Sequence, residues 1–207
     1  VGVHAGEPDW QADGSVRQAL QLASERGLHA GAVVVLTDER PAAPPPLPAA
    51  SGAAPDGDPY TPGRLFHGPA MQGIAAVTAA DAEGIAGRST ATPAPTDWLS
   101  RPLRAQWLTD PLAIDVAFQL AIVWSRSQHD QSSLPTGFRR LTVYGRFPAA
   151  GSDIRLRVRQ CQDHAMVSDI DWLDGDRLIA RLEGYRCVLD PALDAAFRAN
   201  RLAEQPA

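Results

Sequence analysis

The run from Thr109 to Trp124, TDPLAIDVAFQLAIVW, constrains this chain more than any other stretch. Asp110 followed by Pro111 is a helix start, because an Asp side chain accepts orphan amide bonds and proline's fixed φ suits the first helical position. From Leu112 to Val123 the only polar side chains are Asp115 and Gln119. A helix so apolar must be buried nearly all round. Residues four apart lie over one another, so Asp115 and Gln119 share one face near the helix start. A carboxylate set among apolar side chains is either a proton donor or structural support for its amide neighbour, and the segment alone leaves both readings open.

The 207 residues are 44% hydrophobic, enough for one larger domain or two small ones. A net charge of -5 argues against general nucleic-acid binding, which needs a basic field. Every basic side chain is Arg and none is Lys, the usage of a GC-rich bacterial genome. Cys161 and Cys187 lie in expected strands without a CxxC or a His/Cys cluster, so reduced buried thiols, no metal and a cytoplasmic setting are expected. No apolar run is long enough to span a bilayer, and the first residues lack a signal-peptide pattern. The abrupt Val1 suggests a chain cut from something longer.

In order, Val1–His4, Val16–Ala23 and Leu28–Leu36 read as strands, with a turn at Glu25-Arg26-Gly27. Three strands leave a face uncovered. Pro41–Pro59 holds almost no large apolar side chain and reads as a linker. A second part opens with Arg64-Leu65-Phe66-His67-Gly68-Pro69-Ala70-Met71-Gln72-Gly73-Ile74, whose Gly-Pro turn either presents His67 and Gln72 beside a pocket or, the reading that spacing alone favours, is a structural turn with an incidental histidine. Ala75–Thr78 and Ile85–Thr90 form an expected hairpin. After the helix, 132–137 reads as a loop, followed by strands at Arg139–Gly145, Ile154–Cys161, Ala165–Trp172 and Arg177–Val188, and a short helix at Pro191–Asn200. One long helix against such a meander is an α+β layer. Arg155, Arg157 and Arg159 alternate with apolar residues along one strand face, either a solvated face or a site for an anionic partner. His4, His29, His129 and His164 fall in separate contexts, and no Ser-His-Asp set, phosphate-cradling Gly loop or HExxH is present.

The ordered set Leu65-Phe66-His67-Gly68-Pro69-Ala70-Met71-Gln72, then Asp115-Val116-Ala117-Phe118-Gln119, then Leu134-Pro135, resembles the dehydratase domain of modular polyketide synthases and polyunsaturated fatty acid synthases. In that family (Y/F/H)GPxFQ opens the second of two hotdog folds and DxxxQ or DxxxH lies on its central helix. The resemblance implies an α+β double hotdog whose first hotdog is incomplete. Residues 1–40 would be the end of the first hotdog, 41–60 a Pro/Ala-rich linker, 61–190 the second hotdog with its helix at about 110–126, and 191–207 a terminal helix and tail. The family's catalytic histidine, in an HxxxGxxxxP motif, has no counterpart in this chain.

The reaction implied is loss of water from a 3-hydroxyacyl chain held on the phosphopantetheine arm of an acyl carrier protein, with no other cofactor. A neutral imidazole removes the α-proton while an acid protonates the departing hydroxyl. By resemblance Asp115 is that acid, and Gln119 orients it or holds the hydroxyl. His67, Gly68, Pro69, Gln72, Phe118, Leu134 and Pro135 would line the substrate site. Partners would be the carrier protein, neighbouring synthase domains and a polyketide or fatty acyl chain, with no nucleic acid and no membrane; pairing of two copies also fits. Without its histidine the chain alone is expected to show little or no turnover. The alternative is a pseudo-dehydratase, or a product-template-like body that binds and guides a polyketide chain without removing water.

Overall fold

The computed structural model describes residues 1–61 and 64–199, and the chain divides into two compact units, Val1–Ala42 and Ala43–Ala207. The expected tail beyond Ala199 lies outside the described residues.

The first unit is a four-stranded antiparallel sheet of β1 (Gly2–Ala5), β2 (Asp9–Trp10), β3 (Val16–Ser24) and β4 (Gly27–Leu36). β4 runs along one side of β3, while β1 and β2 share its other side. The hairpin turns at Gly27, whose φ of 117° suits glycine alone. Val3, Trp10, Leu28 and Val33 to Leu36 stay exposed, so the three strands expected from sequence are present and their sheet carries an uncovered apolar surface.

The second unit is a seven-stranded antiparallel sheet curled round one helix, the hotdog arrangement. Its first strands are β5 (Ile74–Asp81) and β6 (Gly84–Ser89), followed by the four-residue helix α1 (Pro95–Trp98) and the central helix α2 (Pro111–His129). Then come β7 (Ser132–Gly137), β8 (Arg140–Val143), β9 (Asp153–Gln162), β10 (Ala165–Asp174), β11 (Arg177–Asp190) and α3 (Ala192–Ala199). The strand order is β5-β6-β9-β10-β11-β7, with β8 also on β11. Residues 132–137, expected as a loop, are strand β7: their backbone completes the ladder of β11.

α2 begins where its cap signal places it. Asp110 accepts the Ala113 amide at 2.7 Å and also takes the Thr92 hydroxyl. Leu112, Val116, Leu120 and Trp124 are buried against Ile85, Ile154, Ile170 and Leu182 of the sheet. Two indoles fix the helix along its length: Trp172 donates to the Ala113 carbonyl at 2.8 Å, and Trp124 donates to that of Asp81 at 2.9 Å. Among the described residues no helix is long and apolar enough to cross a membrane.

The Pro/Ala-rich stretch after Ala42 carries neither helix nor strand, yet it is not the free linker its composition predicts. Leu47 is buried, and its amide donates to Asp171 Oδ2 at 2.7 Å while its carbonyl accepts from Arg155 at 2.9 Å. Arg181 reaches the Pro45 carbonyl at 2.9 Å, and Ser51 N–H binds Asp81 Oδ2 at 2.8 Å. One apolar anchor and long-range polar bonds order this strap where composition predicts no such anchoring. The same contacts answer the arginine stripe. Arg155 holds the strap, Arg157 pairs with Glu83 and Arg159 with Asp169, so the row is not a free cationic face.

Candidate active site

Asp115 and Gln119 meet as their spacing requires: Gln119 Nε2 donates to Asp115 Oδ2 at 2.7 Å. The same nitrogen donates to the Met71 carbonyl at 2.7 Å. That carbonyl is delivered by the HGPAMQG turn. Pro69–Met71 forms a single 3-10 turn, and Gly73 then lies so close to α2 that a Cβ would come within 2.7 Å of Leu112 and Val116. Glycine there lets the loop backbone approach the helix.

His67 comes from the same turn. Its Nε2 stands 3.6 Å from Asp115 Oδ2, its ring stacks on Phe66 at 4.3 Å, and its Nδ1 is buried without a hydrogen-bond partner. Burial lowers the imidazole's pKa below its usual 6.5, and the Asp115 carboxylate opposes that shift only in part. His67 is therefore neutral near pH 7. The Asp115 side chain is 29% exposed and that of His67 is 10%, so the carboxyl reaches the rim of the site while the imidazole lies beneath it.

Two tyrosines that sequence reasoning did not single out complete the surroundings. The Tyr60 hydroxyl donates to Gln119 Oε1 at 2.5 Å and accepts from Ile74 N–H at 2.7 Å. Burial pushes this phenol up to about 12. Tyr185 stacks on Phe118 at 5.1 Å with the rings nearly parallel, and burial raises its pKa strongly. Cys187, two residues along β11, is pushed up to about 11 by burial.

The signal for Tyr185 lay in strand parity. Leu178, Ala180 and Leu182 face the core, and after Glu183-Gly184 the buried set becomes Tyr185, Cys187 and Leu189. Gly184, at φ 63°, forms a bulge where one extra residue switches faces, and its amide is held by Asp169 at 2.8 Å. Tyr60, at the border of the strap, left no comparable pattern.

The remaining expected residues are spread more widely. Gln72 donates to the His67 carbonyl at 3.2 Å, bracing the turn from outside, and Gly68 and Pro69 shape that turn. Leu134 and Pro135 are exposed on β7, with Pro135 opposite Cys187 on the neighbouring strand. The other histidines do not converge: His29 bonds Ser24 at 2.6 Å, and His129 lies 3.4 Å from the Cys161 sulfur. Among the described residues no cluster of His, Cys, Asp or Glu could hold a metal ion.

A carboxyl at the rim, fixed from behind by an amide and flanked by a neutral imidazole, is an arrangement for moving one proton. Known proteins share sequence or fold with this chain. The family model of the polyketide synthase dehydratase N-terminal domain matches residues 38–197. A polyunsaturated fatty acid synthase polypeptide of Thraustochytrium sp. is 34% identical over 106 residues, which is 49% of this chain and 3% of that protein. Among solved structures, the dehydratase domain of the polyketide PpsC from Mycobacterium tuberculosis aligns at TM-score 0.61 and 17% identity, covering 91% of this chain and 67% of the other. A trans-AT polyketide synthase dehydratase domain from Brevibacillus brevis gives 0.58 and 16%, covering 91% and 69%. These likenesses establish the shared fold, and the family match establishes the lineage.

Proposed function

The chain belongs to the polyketide synthase dehydratase family, and from that premise we propose that it carries the acid half of a dehydratase acting on 3-hydroxyacyl chains. The observation that carries this reading is the Asp115 carboxyl, partly exposed and fixed by Gln119 on a helix whose Leu112, Val116, Leu120 and Trp124 are buried in the core.

Elimination needs two proton movements. A base takes the α-proton beside the thioester, the electron pair forms the new double bond, and the β-hydroxyl leaves as water once Asp115 has given it a proton. The products are an enoyl thioester and water. The base in this reading is the family's HxxxGxxxxP histidine, for which this chain has no motif. His67, partly buried beside the carboxyl, lines the site. Phe118, Gly68, Pro69, Gln72, Leu134 and Pro135 are proposed to bound the acyl chain. An acyl carrier protein and adjoining synthase domains are the proposed partners.

The test compares this chain with one joined at its N-terminus to about a hundred residues carrying the family's HxxxGxxxxP histidine, the size of a half-domain. Both are incubated with a 3-hydroxyacyl thioester, and loss of water is followed by mass. Turnover restored by the extension and abolished by Asp115→Asn supports the reading. An inert extended protein that still binds acyl chains would support the template or pseudo-enzyme alternative.

A further inference from the structure

We infer that Tyr60 is a positioning residue of this site, its hydroxyl holding the oxygen end of the Gln119 amide so that the nitrogen end braces Asp115. The polarity of the chain of bonds follows from its ends. Ile74 N–H can only donate, so the Tyr60 oxygen accepts there and its single hydrogen goes to Gln119 Oε1, 2.5 Å away. The Met71 carbonyl can only accept, so the Gln119 nitrogen must face it, which leaves that nitrogen's other hydrogen for Asp115 Oδ2. Both ends are backbone groups and neither can reverse.

The Gln119 side chain is fully buried and its oxygen and both its hydrogens are engaged within the protein, so it orients the acid and does not hold the substrate hydroxyl. Without the Tyr60 hydroxyl the buried amide oxygen loses its donor, and the Met71 carbonyl alone is left to hold the amide's direction. An amide held at one end only is less firmly placed, and the bracing of Asp115 slackens.

This inference rests on Asp115 being the acid, and the experiment separates the two. In the intact protein that carries this chain, kcat and KM for water elimination are measured for Tyr60→Phe, Gln119→Ala, the double variant and Asp115→Asn. Tyr60→Phe should lower kcat by about tenfold to a hundredfold with KM little changed, because the acid is misplaced while substrate contacts remain. Added to Gln119→Ala it should cost nothing more, since both act through one amide. Full kcat in Tyr60→Phe beside an inactive Asp115→Asn would overturn the inference alone, as would an undiminished Tyr60→Phe loss in the Gln119→Ala background. Activity surviving Asp115→Asn would overturn the functional reading instead. A measurement without any variant guards against misfolding: in protein labelled with 15N-glutamine, the Gln119 amide protons should exchange slowly with solvent, and fast exchange would refute the bonding on which the inference stands.

Discussion

His67 Nε2 lies 3.6 Å from Asp115 Oδ2, an imidazole and a carboxyl brought together from positions forty-eight residues apart. Burial holds the imidazole below its usual 6.5. In the unfolded chain His67 takes up a proton near that value, whereas in the folded chain it does so only at lower pH. The unfolded state therefore binds more protons between the two values, and folding loses stability as pH falls below about 6.5. His67→Phe, which keeps a ring against Phe66, should flatten the fall in melting temperature between about pH 7 and about pH 5. Parallel melting curves for the two proteins would show that His67 does not titrate differently on folding.

Asp171 is fully buried and receives three bonds: Arg181 on both oxygens, at 2.6 and 2.7 Å, and the Leu47 amide at 2.7 Å. Removing one partner of such a pair leaves an uncompensated charge. Asp171→Ala should destabilise the second unit by about 3–5 kcal/mol in urea denaturation. It should also release the strap around Leu47, read as new protease cleavage between Ala43 and Ala54.

Gly73→Ala would drive a methyl into Leu112 and Val116, both buried on α2. Overpacking of this kind costs about 1–3 kcal/mol. The denaturation midpoint should fall with an unchanged slope, and because Gly73 sets the approach of the Met71 carbonyl to Gln119, elimination should fall too.

Cys187 is buried and its thiol is pushed up to about 11, and burial raises the partly buried Cys161 as well. Few thiolates are present near neutral pH in either case. A disulfide reagent should label neither quickly in the native protein, Cys161 before Cys187, and both at once in urea. Rapid native labelling of Cys187 would contradict the packing of β11 beneath Phe118.

Chain chemistry alone determined the local features. The Asp110-Pro111 cap, the apolar run behind it and the four-residue spacing of Asp115 and Gln119 dictate a buried helix bearing one polar pair, because capping and helical period act within a few residues. Strands β5, β6 and β9 to β11 were legible for the same reason, through short-range alternation. Tertiary structure decided the rest. Nothing in the composition of the strap announces that Leu47 anchors it on an ion pair formed by Asp171 and Arg181. The bond from Tyr60 to Gln119 joins residues distant in sequence. Such contacts exist only after the sheet has curled round its helix, since a hydrogen bond between side chains fifty-nine residues apart is specified by the folded backbone and by no local pattern.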